Sequence, residues 1–276
     1  MSDYAIQVKD LHKEFLLSHS GVASLKTLVL KWKRPQLQHL HVLRGISFDV
    51  KHGECLAIIG RNGAGKSTLL SLMAQIYKPT SGSIEINGRV APLLELGAGF
   101  HADLTGLENI FVNGMILGIS RKVLESRLDQ IIEFSELYNH IDSPVRTYSS
   151  GMSARLGFSI AVHVDADVLL VDEVLAVGDE VFQRKCLDRI RQFQEEGRTI
   201  LVVTHGADLV RQVCQRAIVL HHGEMVADAA PGEAIQIFRE HLHGQMVDPS
   251  APEAVHAELR VTSVSAMSSR GDRRIE

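Results

Sequence analysis

A glycine-rich run with one lysine, GRNGAGKST at residues 60–68, has the residue types and spacing of a phosphate-binding loop. An apolar run at residues 55–59 precedes it and a leucine-rich run at residues 69–73 follows it, which predicts a strand, the loop and then a helix. Lys66 is expected to reach the β- and γ-phosphates, and the Ser67 hydroxyl to ligate Mg²⁺. The residues predicted to surround the phosphates are Gly60, Asn62, Gly63, Ala64, Gly65, Lys66, Ser67 and Thr68.

Two acids end a second apolar run, VLLVDE at residues 168–173. Asp172 is expected to hold Mg²⁺, and Glu173 to act as the general base that polarises the attacking water. Consecutive acids at the end of a strand can also form a solvated turn. The complete phosphate loop earlier in the chain favours the catalytic interpretation.

Two further motifs lie near these acids. The run YSSGM at residues 148–152 precedes a helical pattern, so Ser149, Ser150 and Gly151 are expected at a helix N-terminus that can bind phosphate. His205 follows the apolar run at residues 199–203. Taken alone, the first motif is a helix cap, and a histidine at the end of a strand is usually structural.

The order of these motifs resembles that of ABC ATPases. YSSGM looks like their signature motif, and His205 matches their switch histidine. Asp179, in AVGD, fits the D-loop position. Phe15 fits the place where an aromatic ring stacks on adenine, with a core phenylalanine as the alternative. The resemblance implies ATP and Mg²⁺ as cofactors, and an α/β P-loop fold with a RecA-like parallel-sheet core, an antiparallel β subdomain and an inserted helical subdomain.

A narrower resemblance is carried by residues 88–100 and 104–110, together with YSSGM and the run DEVLAVGD at residues 172–179. These stretches look like the ATP-binding subunits of O-antigen and teichoic-acid exporters, over residues 5–242. The resemblance implies a homodimeric motor at the cytoplasmic face of the inner membrane, docked peripherally to a separate transmembrane permease and exporting a lipid-linked polysaccharide. The alternatives are the ATPase of an importer and a soluble ABC-type ATPase.

The sequence departs from ABC ATPases at one position. Most of them carry a glutamine between the phosphate loop and the helical subdomain, whereas no glutamine occurs here between Gln75 and Gln130. Glu95 is the nearest polar candidate, and a carboxylate also suits a hard cation such as Mg²⁺. We therefore expect Glu95 to be a metal ligand, and residues 97–118 to face the permease.

The apolar runs at residues 168–171 and 199–203 are continuous and are separated by a helical pattern, which is typical of strands buried on both faces of a parallel sheet. The chain of 276 residues is long enough for one large domain with an appendage. We predict a nucleotide-binding domain at residues 1–243, with its helical subdomain at about 104–165. Residues 244–276 read as a linker and a tail that resembles the start of a truncated carbohydrate-binding domain.

Local patterns predict three smaller features. Residues 84–88 are expected to form a hairpin, and Ser120 to cap a helix that extends to Leu137. Residues 16–42 are expected to form an insert between two strands. Its basic and apolar side chains suit either a membrane surface or a surface arm of the sheet.

Composition disfavours several classes of protein. The formal net charge of −4 gives no indication of a nucleic-acid surface. The three cysteines are separated in sequence, which suits a reducing compartment and core positions. No secretory signal or membrane-spanning run is expected, and the paired histidines lack zinc spacing.

Overall fold

A computed structural model describes residues 3–18, 37–93, 97, 99–172 and 178–244. The chain divides into two units, Met1–Phe238 and Arg239–Glu276. Of the second unit, residues 239–244 are described, and they form the end of the last helix. The predicted linker and tail lie outside the described residues from residue 245 onwards.

Nine strands and seven α-helices are described, with a short 3₁₀ turn at Val145–Thr147. The strands are β1 (Tyr4–Ser18), β2 (Leu37–Lys51), β3 (Cys55–Gly60), β4 (Ser81–Ile86), β5 (Val90–Leu93), β6 (Val168–Asp172), β7 (Thr199–Val203), β8 (Arg216–His221) and β9 (Glu224–Ala229). The helices are α1 (Lys66–Met73), α2 (Gly106–Ile116), α3 (Arg121–Ser135), α4 (Ser150–Ala161), α5 (Glu180–Glu195), α6 (Ala207–Val213) and α7 (Pro231–Gly244).

The central sheet has six strands in the order β5-β6-β7-β3-β8-β9. All neighbouring pairs are parallel except β8 with β9. Alternate residues of each central strand enter different core clusters, so that Leu169 and Val171 belong to one and Val168 and Leu170 to the other. Because an apolar core covers both faces of the sheet, the residues of these strands do not alternate between polar and apolar types. The predicted parallel-sheet core is confirmed.

A second sheet is antiparallel, with three strands in the order β2-β1-β4. The predicted insert at residues 16–42 was too wide, because residues 16–18 and 37–42 belong to β1 and β2. The backbones of these two strands pair along a long two-stranded ribbon, in which Phe15 is opposite Leu40. Residues 19–36 of that insert lie outside the described residues.

The hairpin predicted at residues 84–88 was wrong. β4 pairs with β1, whereas β5 belongs to the central sheet and pairs with β6. Asn87 is fastened to β1, since its backbone N–H donates to Ala5 O at 2.8 Å and its side chain donates to Tyr4 O at 2.8 Å. Gly88, at φ 119°, then turns the chain from one sheet to the other.

Helices α2, α3 and α4 pack against one another between β5 and β6 in the sequence. Thr105 and Glu108 form a reciprocal capping box at the start of α2. Ser120 is the N-cap of α3, as predicted, but its side chain makes no capping hydrogen bond. The helix ends at Ser135 rather than at Leu137, because Glu136 adopts a left-handed conformation with φ 59°.

Candidate functional site

The phosphate loop connects β3 to α1 at the carboxyl edge of the central sheet. Gly65 is the N-cap of α1 and has φ 104°. A Cβ atom at Gly65 would lie 2.7 Å from Leu43 Cδ2 and 3.0 Å from Val42 O, so β2 packs directly on the loop. A side chain there would meet both strain and a clash, which leaves glycine as the residue that fits. The backbone N–H groups of the following turn are therefore available at a helix N-terminus.

Lys66 is buried inside this loop, with 6% of its surface exposed. Its ammonium donates to Gly60 O at 2.9 Å and to Arg61 O at 3.2 Å. These carbonyl groups hold the positive charge within the curve of the loop. An anion bound there would gain both the charge of Lys66 and the N-terminal field of α1.

Asp172 and His205 lie at the same sheet edge as the loop. In the strand register, Asp172 is opposite Val203 of β7, and Val203 is opposite Ile58 of β3. Asp172 is half-buried, and His205 is exposed two residues after β7 ends. The carboxyl ends of three neighbouring parallel strands thus bring Lys66, Asp172 and His205 to one edge, which is where ligands bind in open α/β sheets.

The run YSSGM leads into α4, one of the three helices α2, α3 and α4 that pack against one another. Ser149 is the N-cap, and its hydroxyl oxygen accepts from Met152 N at 3.2 Å. Ser149 and Ser150 are exposed. A Cβ atom at Gly151 would have only Ser149 Oγ within 4 Å, at 3.8 Å, so the space in front of this helix start is open. The geometry leaves these polar groups accessible to a second molecule.

Asp179 is the N-cap of α5 and has two roles. One carboxylate oxygen accepts from Phe182 N at 2.9 Å, and the other accepts from Arg155 at 2.6 Å. Sequence reasoning missed Arg155 and its second partner Glu136, because both contacts cross between elements. No local pattern of the sequence identifies these contacts.

Phe15 is half-buried on β1, at the edge of an aromatic group that the sequence did not predict. Its ring lies 5.4 Å from that of Tyr77, and Lys13 Nζ lies 4.8 Å from the Phe15 centroid. Phe15 pairs with Leu40, three residues before Leu43, which packs on the phosphate loop. At about 3.3 Å per residue this places Phe15 roughly 10 Å along the ribbon from the loop.

Two predicted site residues, Glu95 and Glu173, lie outside the described residues. Among the described residues, the sequence analysis also missed Asn109 of α2, which is fully buried. Its amide nitrogen donates to the carbonyl oxygens of His101, Leu104 and Thr105, and its oxygen accepts from His101 N. Asn109 therefore fixes the turn that leads into α2, a role that its place in the run LTGLEN did not reveal.

A cavity of about 580 Å³ between α3, α5 and the end of α4 is lined by cationic side chains. Arg127 donates to His163 O, Arg189 donates to Val162 O at 3.2 Å and Arg198 donates to Val164 O at 3.1 Å. Each guanidinium thus satisfies a carbonyl group at the C-cap of α4 or in the turn that follows it. The three arginine side chains of this cavity therefore stabilise the backbone at the end of α4.

Among the described helices, none has both the length and the apolarity needed to cross a bilayer.

The family described as "ABC transporter" matches residues 43–176. The O-antigen export system ATP-binding protein RfbB of Klebsiella pneumoniae is 46% identical over 239 residues, which cover 85% of this chain and 97% of that protein. RfbB of Myxococcus xanthus is 46% identical over 243 residues, covering 86% and 56%. The teichoic acids export ATP-binding protein TagH of Enterococcus faecalis is 43% identical over 238 residues, covering 86% and 53%. The chain therefore spans about half the length of the last two relatives.

A solved dimeric ATP-binding cassette, in a post-hydrolysis state bound to ADP and Pi, superposes with a TM-score of 0.66 at 20% identity. The match covers 82% of this chain and 98% of that one. A likeness at this identity shows a shared fold.

Proposed function

Because the chain belongs to the ABC transporter family, as an ATP-binding ATPase of that family, we propose that two copies of it drive the export of a lipid-linked polysaccharide. The copies dock peripherally to a separate transmembrane permease at the cytoplasmic face of the membrane. The observation that carries this proposal is the match over 97% of the length of an O-antigen export ATP-binding protein. The relatives are named for the export of O-antigen and of teichoic acids, which are both polymers. This supports an exporter over an importer.

Within one copy, the phosphate loop and Lys66 bind the phosphates of ATP, and Phe15 stacks on its adenine. Ser67 is the second residue of α1, Asp172 ends β6, and α1 packs against β6. A hydroxyl and a carboxylate oxygen are hard donors that fit Mg²⁺, and Glu95 is proposed as a further ligand. When bound, the ion neutralises charge that develops on the phosphates. Glu173 accepts the proton of the attacking water, and His205 hydrogen-bonds the terminal phosphate and helps to orient Glu173.

The second copy completes the site. Ser149, Ser150 and Gly151 are exposed at the start of α4 and lie in the helical layer, whereas Lys66 is buried at the edge of the sheet. A helix N-terminus with two hydroxyl groups suits the terminal phosphate of an ATP molecule held by the other chain. Asp179, in the segment after Glu173, is proposed to lie beside the same interface.

The role of Glu173 gives the direct test of this function. We expect Glu173→Gln to retain ATP binding and to lose hydrolysis by about 10²- to 10⁴-fold, since an amide cannot act as a general base. Phosphate release in single-turnover experiments and polysaccharide at the cell surface would be measured on the same variant. Phosphate release and surface polysaccharide should fall together.

Glu195→Gln, at an exposed position near the end of α5, is the matched control and should behave as wild type. Retention of more than about a tenth of wild-type hydrolysis by Glu173→Gln would remove Glu173 from the role of base. Loss of hydrolysis with normal surface polysaccharide would exclude polymer export as the coupled process.

A further inference from the structure

The cavity of about 580 Å³ between α3, α5 and the end of α4 contains more positive than negative charge. Four cations and two acids line it, namely Arg127, Lys185, Arg189, Arg198, Glu133 and Asp188. Ligand pockets in proteins have volumes of about 300–1,000 Å³. The cavity therefore has both the room and the sign of charge to bind a small anion.

Three guanidinium groups of this cavity share one carboxylate. Glu196 lies 3.5 Å from Arg189 and 2.9 Å from Arg198. In the part of the chain that the structure describes, no carboxylate forms an ion pair with Arg127, which donates to a carbonyl oxygen. Only 20% and 21% of the Arg189 and Arg198 side chains are exposed. The excess positive charge is therefore partly shielded from solvent, where salt screens it less.

The other charged groups of the lining alter this excess little. Lys185 is paired with Glu136 at 3.2 Å, and Asp188 is paired with Arg191 at 3.0 Å. Glu133 is exposed, so water screens its charge. The uncompensated charge of the cavity thus belongs to the three arginines.

The titration of two groups reflects the same excess. Burial lowers the pKa of Arg189 against the opposing charge of Glu196, and the charges of Arg198 and Arg127 lower that pKa further. Burial also lowers the pKa of His163, and Arg189 and Arg127 lower it further. A further positive charge is thus disfavoured in this cavity, and a negative charge is favoured.

The arginines are held in place and keep donor groups for a ligand. Arg127 of α3 donates from Nη1 to His163 O, and Arg189 of α5 donates from Nη2 to Val162 O at 3.2 Å. A guanidinium has five N–H groups, so these contacts leave others for a second partner. Because the two groups are already ordered, they lose little freedom when they bind an anion, and their planar forks match the oxygens of a phosphate.

Uncharged amides lie beside the arginines. Gln130 of α3 and Gln192 of α5 line the same cavity, and Gln192 Oε1 accepts from Arg189 at 2.6 Å. An amide both donates and accepts, and the carboxylates of Glu133 and Asp188 accept, so these groups suit hydroxyl groups. A ligand that carries a phosphate and several hydroxyl groups would use both parts of the lining.

We propose that this cavity is a binding site for a small phosphorylated sugar, separate from the phosphate loop. Arg127 and Arg189 hold the phosphate, and Gln130 and Gln192 bind the hydroxyl groups. The lining residues lie between positions 127 and 198, whereas the phosphate loop occupies residues 60–68. The inference does not rest on the proposed export function.

Equilibrium dialysis with radiolabelled glucose 1-phosphate tests this inference. Saturating ADP and Mg²⁺ are present throughout, so that the phosphate loop is occupied. We expect wild type to bind the probe with a Kd below about 1 mM. Inorganic phosphate and AMP are tested in the same way and should bind more weakly than the sugar phosphate. Tighter binding of either one would overturn the assignment to a phosphorylated sugar.

Two variants of α3 test the cavity. Arg127→Gln removes one charge and should weaken binding by about tenfold to a hundredfold, the range for a hydrogen bond to a charged group. Gln130→Glu adds a negative charge at an exposed position of the lining and should weaken binding by about tenfold. Arg121→Gln, which alters an exposed pair with Glu125 on the same helix, is the matched control and should bind as wild type.

The melting temperature of each variant identifies which proteins are folded, and the probe should raise that of wild type because it binds the native state. Folded Lys66→Ala should bind glucose 1-phosphate as wild type does. Loss of binding in that variant would overturn the inference, since the probe would then occupy the phosphate loop. Absence of binding in wild type, or equal affinity in wild type and folded Arg127→Gln and Gln130→Glu, would overturn it as well.

Discussion

Lys66 shows how far a single residue can be predicted from its neighbours. Its ammonium is held by carbonyl oxygens of Gly60 and Arg61, which belong to the same loop, so the spacing of residues 60–68 was enough to locate it. Arg155 is the opposite case. Its partners Glu136 and Asp179 lie 19 and 24 residues away, and no local pattern identifies contacts that depend on how helices pack.

At this scale we expect Lys66→Ala to weaken ATP binding by about tenfold to a hundredfold. A hydrogen bond to a charged group contributes about 1.5–3 kcal/mol, and the variant loses both the donor and the charge in the loop. Titration calorimetry with ATP measures the change. Lys51→Ala, which alters an exposed lysine at the end of β2, is the control. Equal affinities in the two variants would place the phosphates elsewhere.

At the scale of elements, apolar patterns predicted the central strands and the helices, but they did not predict which strands pair with each other. The runs in β6 and β7 are buried on both faces, and their continuous apolar composition is a local signal that predicts this burial. The expected hairpin at residues 84–88 was wrong because Val90 pairs with Val168, far along the chain. The sequence also contains the capping-box pattern of Thr105 and Glu108, which was not among the predicted features.

The C-terminal end of α4 gives a prediction about pH. His163 Nδ1 lies 2.6 Å from Ser159 O, to which the neutral ring donates. Burial lowers the pKa of His163, against the opposing effect of this hydrogen bond, and the nearby Arg189 and Arg127 lower it further. The folded protein therefore resists protonation where the unfolded chain accepts a proton, near pH 6.5. Its contribution to stability is full above about pH 6.5 and is lost as pH falls through the lowered pKa.

We expect the melting temperature of wild type to fall more between pH 7.5 and pH 5.5 than that of His163→Gln. Thermal unfolding monitored by circular dichroism at three pH values measures the two slopes. His52→Gln, at an exposed turn, controls for the loss of a histidine and should keep the wild-type slope. A parallel fall in wild type and His163→Gln would show that the half-buried ring of His163 does not govern this dependence.

At the scale of the whole molecule, the phosphate loop and the start of α4 lie in different parts of one copy, and in the proposed dimer each contributes to a different half-site. The phosphate loop, Asp172 and His205 share the sheet edge, while Ser149 lies exposed at the start of α4. The order of motifs predicts two half-sites, because the residues of each occur in separate runs, and this division stays a prediction. How two copies meet depends on surfaces that no run of residues encodes by itself.

Light scattering of the Glu173→Gln protein tests the central claim, that two copies close on ATP, most directly. Without hydrolysis, bound ATP should hold the closed state, so we expect the mass of a dimer with ATP and Mg²⁺ and that of a monomer with ADP or no nucleotide. The double variant Glu173→Gln with Lys66→Ala should remain monomeric under all conditions. A monomer mass for Glu173→Gln at high protein concentration, with ATP shown to be bound, would contradict the account.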